Sequence, residues 1–539
     1  MLSQNRYHSA NINTQSVRPP QAAQGVWTPT PVPVTGHLAR RGRRKMLLAF
    51  LFVGVLTLAT VLGTASFLRG NTTIIAQTTG QSPVSIDLNQ SFPISPYLLG
   101  SNVFPKAGTD SKDAAQSGFM SYSPQVVAGL QSAHIKLLRF PGGNWGEQHT
   151  PSIAQLTDFS TLLNQVGAEG IMQTQLTDPN DVTPVSLDVR ATRASLLVDY
   201  MNNAQSIQRV GNNSPFHPIK YWTIGNEPDL LTNPQTGARY TVADYVHDFI
   251  TFSIAMHQRD SGIKVFGPEI SQYQGPAQEP KDATGALWME DFLRGITAYE
   301  RTHTLPFHIL DGVSFHRYPF GATGESADAL LNNPTQWKST LPTLRQFIGE
   351  QFGMNLPIAI TEINSNSGKG LPTQSLAATW WAETLGELMN NQVEYVAFFS
   401  TEGVNAPYPL FTQSKLSETS LLRVMQLFAS LQNNLIPLQT QNGPVNIYAT
   451  QDAMHNTVSL FLMNKTAMDQ QVHIHADSIL PLSSWHSVTV NVHGYDMLVL
   501  TLHRNGNNEA LRFSNSASTQ QNTPEIQDMQ CANTTDGTC

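Results

Sequence analysis

A (β/α)8 TIM barrel of the α/β class, with a C-terminal β-sandwich domain and one N-terminal transmembrane helix, is the fold the sequence predicts on three observations. Eight short β-prone runs recur between residues 96 and 420, and the roughly 30 to 45 residues between successive runs suffice for a loop, a helix and a return. From residue 421 the texture changes to closely spaced alternating strands. Ahead of both, a charge-free apolar run from Met46 to Leu68 follows a cluster of basic residues. The chain's 539 residues, 40% of them hydrophobic, are enough for a large core and a second, smaller one.

The N-terminal elements come first. Residues 1–45 are polar and rich in Gln, Pro and Ser and are read as a disordered cytoplasmic tail ending in Arg40, Arg41, Arg43, Arg44 and Lys45. Residues 46–68 match the roughly 20 residues that one bilayer-spanning helix needs. The flanking positive charge orients them as a signal anchor with everything after Arg69 outside the cell. A cleaved signal peptide is the alternative, since Gly63 to Ser66 offers small residues at a suitable place, and the protein would then be secreted. Residues 69–82 are Thr/Gln/Gly-rich and read as a linker, and 83–95 as a strand that completes the sandwich from the N-terminal side.

The barrel strands are expected at 98–104, 135–140, 171–177, 220–224, 264–268, 312–316, 357–362 and 394–400. Among the intervening helices, Thr241 caps one whose Val242, Tyr245, Val246, Phe249 and Ile250 share a face; Leu196, Leu197, Tyr200 and Met201 mark another. An open doubly wound sheet is the rival, but no Gly-rich phosphate loop follows the first strand. The sandwich is assigned to 421–504, and the Asn/Ser/Thr-rich residues 505–539 are read as a disordered tail containing the chain's two cysteines, Cys531 and Cys539. With both outside the expected core, no thiol nucleophile or Cys-based metal site is expected.

A formal net charge of −8, without a Lys/Arg stripe after the membrane run, makes nucleic acid an unexpected partner. His473 and His475 share a strand face but lack a third ligand at sensible spacing, so no metal and no other cofactor is expected.

The chemistry is carried by two strand ends. Strand four ends in Tyr221-Trp222-Thr223-Ile224-Gly225-Asn226-Glu227-Pro228-Asp229, where Pro228 is expected to hold Glu227 on extended backbone. Strand seven ends in Ile358-Ala359-Ile360-Thr361-Glu362-Ile363-Asn364-Ser365. Catalytic groups of such barrels sit at strand C-terminal ends, and strands four and seven face each other across the mouth. A carboxylate pair there suits glycosidic cleavage with retention, one group attacking the anomeric carbon and the other protonating the leaving oxygen. Arg139 at the end of strand two, and Tyr318 or His316 at the end of strand six, are candidate donors to Glu362 and, with Asn102, candidate substrate-binding residues; Asn226 is a candidate donor to the sugar 2-hydroxyl, and Trp145 a stacking platform. Trp380 and Trp381 are read as helix core, and Glu269 as a rim charge.

The Gly-Asn-Glu-Pro at strand four and Thr-Glu at strand seven resemble the clan of retaining glycoside hydrolases that places its acid/base and nucleophile on those strands. Arg139 to Gly143 is similar to the strand-two segment of the arabinofuranosidase branch. Ile224 to Asp229 together with Thr361 to Ser365 resembles most closely the family of heparanase and bacterial β-glucuronidases, over roughly Val84 to Leu502. The resemblance implies that Glu227 is the acid/base, Glu362 the nucleophile, and an extracellular poly- or oligosaccharide the substrate. That family places paired glycines after the Asn-Ser; here the stretch runs Asn364-Ser365-Asn366-Ser367-Gly368-Lys369-Gly370, and Lys369 becomes a candidate partner for a substrate carboxylate. An α-L-arabinofuranosidase or β-xylosidase of the same clan, and a non-catalytic carbohydrate-binding barrel, are the alternatives.

Overall fold

The computed structural model describes residues 73–107, 118–178, 184–209, 215–321, 326–368, 370–404, 407–438, 443–476, 487–503, 508–519, 521–529 and 536–539. The expectations for residues 1–68 and for Lys369 and Cys531 lie outside them. Among the described residues no helix is long and apolar enough to cross a membrane.

Eight parallel strands close into a barrel: Gly100–Asn102, Leu137–Phe140, Glu169–Thr174, Tyr221–Ile224, Lys264–Ile270, Gly312–Arg317, Ile358–Ile363 and Tyr395–Phe398. Each pairs with its sequence neighbours, and strand eight returns to strand one through Phe398 and Ser101, so the sheet has no open edge and the doubly wound rival is set aside. The strands are short and apolar because helices cover their outer faces; Leu137–Phe140 is buried at every position.

The helix Val242–Arg259 begins at a capping box in which Thr241 and Asp244 satisfy each other's backbone N–H groups, and it buries Tyr245, Phe249, Phe252 and Met256 on one face. In Leu187–Asn202 the buried face runs through Ala194, Val198 and Met201, leaving Leu196 and Leu197 at its margin.

Two further sheets form the sandwich. One has five strands in the order Val84–Asp87, Thr73–Thr78, Gln470–Ala476, Ser487–Val492 and Asp536–Thr538. The other has seven, in the order Gln527–Met529, Glu509–Phe513, Met497–His503, Thr457–Asn464, Val445–Gln451, Asn434–Ile436 and Phe92–Pro93. Ile74, Ile86, Val472 and Val490 of the first share one apolar core with Ile447, Leu460 and Leu500 of the second. The opposite face of the seven-stranded sheet joins the barrel core through Tyr448, Phe461 and Met463. This explains why Val445–Gln451 is buried along its whole length. The fit at that face is close: a Cβ on Gly386 of helix Gln374–Asn390 would lie 2.1 Å from the Tyr448 ring.

Two assignments are corrected. Part of the expected linker 69–82 is a strand, Thr73–Thr78, because Ile74 and Ala76 point into the sandwich while Ile75 and Gln77 alternate outward. The expected disordered tail 505–539 instead supplies strands to both sheets. Ala510 and Phe513 are buried, Arg512 pairs with Asp496 at 2.7 Å, and the Asn515 amide donates to the carbonyls of Ser375 and Tyr495. Composition hid this, since apolar side chains are few in the segment and some of its polar groups bond to the rest of the protein. Cys539, at its end, is disulfide-bonded.

Candidate active site

Local backbone geometry aims the chain's acidic residues into the barrel mouth. After Arg139 ends strand two, Gly142 (φ 69°) and Gly143 (φ 55°) turn the chain into the short helix Gly143–Gln148. After strand four, Gly225 (φ 79°) and Glu227 (φ 50°, ψ 56°) are left-handed. The expectation that Glu227 lies on extended backbone is therefore corrected. Pro228 does keep it out of the right-handed helical region, but two hydrogen bonds fix the left-handed alternative. Glu227 N–H donates to the Glu269 carbonyl at 2.9 Å, and Leu230 N–H donates to the Glu227 carbonyl at 2.8 Å. The conformation costs about 1 to 2 kcal/mol, a strain found preferentially where geometry serves function.

Two bulges do the rest. The register of strand seven shifts between Ile360 and Glu362, and that of strand five between Pro268 and Ile270. The first lets successive residues both address the interior: the Thr361 hydroxyl donates to Glu269 Oε1 at 2.7 Å while Glu362 meets Arg139. The second turns Glu269 inward, and it is fully buried, so its reading as a rim charge is corrected.

Arg139 is the hub, with no exposed surface. One terminal nitrogen donates to Asn102 Oδ1 and Glu362 Oε1, both at 2.9 Å; the other donates to Asn226 Oδ1 at 2.8 Å and Glu269 Oε2 at 2.9 Å. Burial pushes the Glu269 carboxyl upward, but Arg139 and then His316 outweigh it and hold it at about 2. His316 donates from Nδ1 to Glu227 Oε1 at 3.1 Å and lies 3.6 Å from Glu362 Oε2. Burial opposes its charge, yet Glu362, Glu227 and Glu269 together raise it to about 10, so it carries its proton at neutral pH. The Tyr318 hydroxyl donates to Glu362 Oε2 at 2.7 Å; burial and then Glu362 itself raise it well above the ordinary phenol value and keep it a donor.

A carboxylate oxygen of Glu227, one of Glu362 and a ring nitrogen of His316 all lie within 4.8 Å of one another. Such a trio has metal-ligand spacing, but a protonated imidazole donates toward the carboxylates and presents no lone pair there. What the arrangement suits is a carboxylate that accepts hydrogen bonds from Arg139 and Tyr318, opposite a second carboxyl group that is half-buried.

The candidates thus divide. Glu227, Glu362, Arg139, Asn226, His316, Tyr318 and Asn102 are brought together. Arg139, Asn102 and His316 are fully buried; Arg139 donates to Glu362 as expected, His316 donates to Glu227, and Asn102 faces Arg139. Asn102 bolts strand one to strand seven, its amide donating to the Thr361 carbonyl at 2.8 Å. Asn226 spends its amide donor on Asn144 Oδ1 at 3.1 Å. Trp145 packs on Phe119 and stacks on His149. Trp380 and Trp381 are core, as read. His473 lies on an exposed strand face and pairs with the Thr489 hydroxyl at 3.0 Å.

Sequence reasoning passed over Thr361, Asn144 and Phe399. Phe399 follows strand eight and stands edge-on to Tyr318, with ring centroids 6.1 Å apart. Its signal was an aromatic at the C-terminal end of a barrel strand. Gly143 gives a direct test of this packing. A Cβ there would lie 3.1 Å from Phe399 and 3.2 Å from Glu362 Oε1, on left-handed backbone. Gly143→Ala is expected to displace the Glu362 carboxylate and lower kcat roughly 10²-fold. An unchanged kcat in steady-state assays counts against the close fit.

No protein-family model matches the chain, and no curated protein matches its sequence. Solved structures do match. A family 44 endoglucanase from Clostridium acetobutylium aligns with TM-score 0.54 and 13% identity, over 78% of this chain and 99% of that one. A family 51 α-L-arabinofuranosidase from Thermotoga petrophila gives 0.54 and 16%, over 73% and 88%. One from Bifidobacterium longum gives 0.51 and 16%, over 74% and 86%. At such identities the likeness concerns architecture alone, which in this chain is a closed eight-stranded barrel with an accompanying β-sandwich.

Proposed function

We propose that this chain is a retaining glycoside hydrolase acting on O-glycosidic bonds of poly- or oligosaccharides, with Glu362 as nucleophile and Glu227 as acid/base. The observation that carries the reading is the approach of the two carboxylates to within 4.8 Å at the ends of strands four and seven, close to the roughly 5 to 5.5 Å separation of retaining enzymes. Glu362 attacks the anomeric carbon while Glu227 gives its proton to the leaving oxygen. The glycosyl–Glu362 ester is then opened by a water that Glu227 deprotonates. Arg139 and Tyr318 steady the negative charge on Glu362 before attack and as it returns.

Replacing Glu227 with Ala is expected to slow a phenyl glycoside by about 10²- to 10⁴-fold while sparing a dinitrophenyl glycoside, with azide restoring turnover as a glycosyl azide. Equal losses on both substrates, with no azide product, would remove the acid/base assignment.

For the sugar, the stretch Asn364 to Gly370 supports a glucuronide-cleaving, heparanase-like reading, with Lys369 as the partner of the uronate. Likeness to family 51 arabinofuranosidases supports an arabinofuranoside. Turnover rates on nitrophenyl glucuronide, arabinofuranoside, xyloside and glucoside decide between them. The basic cluster ahead of Met46 to Leu68 supports placing the catalytic body outside the cell on an N-terminal anchor. Protease treatment of intact cells is expected to release or degrade that body, and full protection would reverse the orientation.

A further inference from the structure

Strand five, which pairs with strands four and six, ends at Ile270, and the three residues that follow it, Ser271-Gln272-Tyr273, make contacts that the mechanism above does not use. On the strand-four side, Ser271 N–H donates to Asp229 Oδ1 at 2.8 Å and the Ser271 hydroxyl donates to Asp229 Oδ2. Asp229 lies two residues past Glu227, in the turn Pro228–Leu230. Glu227 N–H already goes to the Glu269 carbonyl, so the chain carrying the acid/base is tied to strand five both at Glu227 itself and just after it. On the strand-six side, the Gln272 amide donates to the Tyr318 carbonyl, and Tyr318 N–H donates to Gln272 Oε1 at 3.0 Å. The ladder between strands six and seven ends at Arg317, one residue earlier, and the Gln272 side chain takes over from it. Tyr318 is the residue whose hydroxyl donates to Glu362 Oε2 at 2.7 Å. Tyr273 fixes the segment in turn: it is buried, its N–H donates to the His316 carbonyl at 3.2 Å, and its carbonyl accepts from Arg317 at 3.2 Å.

We propose that this segment is a two-ended strap whose neighbouring residues position the two halves of the double displacement: Ser271, through Asp229, sets the acid/base Glu227, and Gln272, through Tyr318, sets the donor to the nucleophile Glu362. The proposal rests on the retaining-hydrolase reading. At the first end, a carboxylate receives two donors from one residue, a pairing that is both stronger and more directional than a single neutral bond. It has something to restrain, because Glu227 is left-handed (φ 50°) and a backbone held there at a cost relaxes when its restraints go. Relaxation would carry the Glu227 carboxyl away from His316 Nδ1, now 3.1 Å from it. At the second end, one Tyr318 group is an acceptor and the other a donor, and a carboxamide answers both at once where a carboxylate or an apolar side chain does not. Without it the phenol loses its aim at Glu362.

The test exploits the expectation that adjacent residues fail in different ways. Values of kcat/KM are compared on a phenyl glycoside, which needs the proton from Glu227, and on a 2,4-dinitrophenyl glycoside of the same sugar, which does not. Asp229→Ala and Ser271→Ala are each expected to lose about ten-fold on the phenyl substrate and less than about two-fold on the dinitrophenyl one. Ser271→Thr, which keeps the hydroxyl, should regain most of that loss. Gln272→Met is expected to lose about ten-fold on both substrates, because both require Glu362. In a Tyr318→Phe background it should add less than about two-fold, since the hydroxyl through which it acts is already gone. Where Asp229→Ala or Gln272→Met does not fold, Ser271→Ala, which spares the backbone bond, and Gln272→Glu, which spares the shape, carry the same comparisons. Equal losses on the two substrates in Ser271→Ala, a full additional loss from Gln272→Met beside Tyr318→Phe, or unchanged kcat/KM in either single variant would overturn the strap while leaving the hydrolase reading intact. Failure of the wild type to cleave either substrate, across the sugars of the panel, overturns both.

Discussion

Glu362→Ala is expected to reduce turnover of every glycoside, activated or not, by about 10⁴-fold or more if Glu362 forms the glycosyl ester as proposed, because no other carboxylate among the described residues is placed to replace it. Glu269, the nearest alternative, is fully buried and bound to Arg139 and Thr361, so it has neither access nor a free lone pair directed at the mouth. Because Glu362 is buried against Arg139, Tyr318 and His316, melting of the variant is measured alongside so that loss of turnover is separated from loss of fold. A 2-fluoro glycoside should label Glu362 in the wild type, and NMR should find the released sugar first in the anomeric form of the substrate. Label on another peptide, or an inverted product, contradicts the double displacement.

Arg139→Met is expected to have the largest effect on stability, about 3 to 5 kcal/mol, because it strips the cation from two buried carboxylates at once. Glu269 and Glu362 would remain against His316 alone, and the Asn102 and Asn226 carbonyls would lose their donor. Guanidinium unfolding measures the change, and the pH dependence identifies its source. In the parent, Glu269 is held at about 2, below its unfolded value. Its contribution is therefore complete above the ordinary carboxylate range and disappears as pH falls through that range toward 2. In Arg139→Met that contribution shrinks or reverses, so the variant should lose less of its stability on acidification than the parent does. Adding Glu269→Gln should recover part of the loss, as expected if an unpaired buried charge, and not a cavity, is responsible. Parallel acid limbs in parent and variant count against this account.

Much of the barrel was legible because its strands are buried on both sides and read as unbroken apolar runs; Leu137–Phe140 and Ile358–Ile363 are examples. Glu227 and Glu362 stood out because each breaks such a run where the strand reaches the mouth. Arg139 and Tyr318 were legible for the same reason, and both donate to Glu362 as expected, whereas His316 turns its Nδ1 to Glu227. Pairwise distance, which the sequence does not carry, decides whether a polar residue at a strand end touches sugar or touches a carboxylate.

The bulges at Thr361 and Glu269 were illegible for a different reason. A strict two-residue period assigns neighbouring positions to opposite faces, so only a register shift brings Thr361 and Glu362 inward together. The left-handed Glu227 was likewise hidden, because a partner on strand five fixes it. Thr73–Thr78 and the strands beyond residue 505 escaped because composition was weighed above alternation; Ile74, Ala76, Ala510 and Phe513 are the few apolar side chains that anchor them.

The doubly buried seven-stranded sheet has a practical corollary. Tyr448 seats in the notch left by Gly386, and the sheet's remaining inner side chains lie on the barrel's own core. Excising the smaller domain to obtain a minimal catalyst would therefore strip the cover from an oily helical flank, and the shortened protein should clump before it could be assayed.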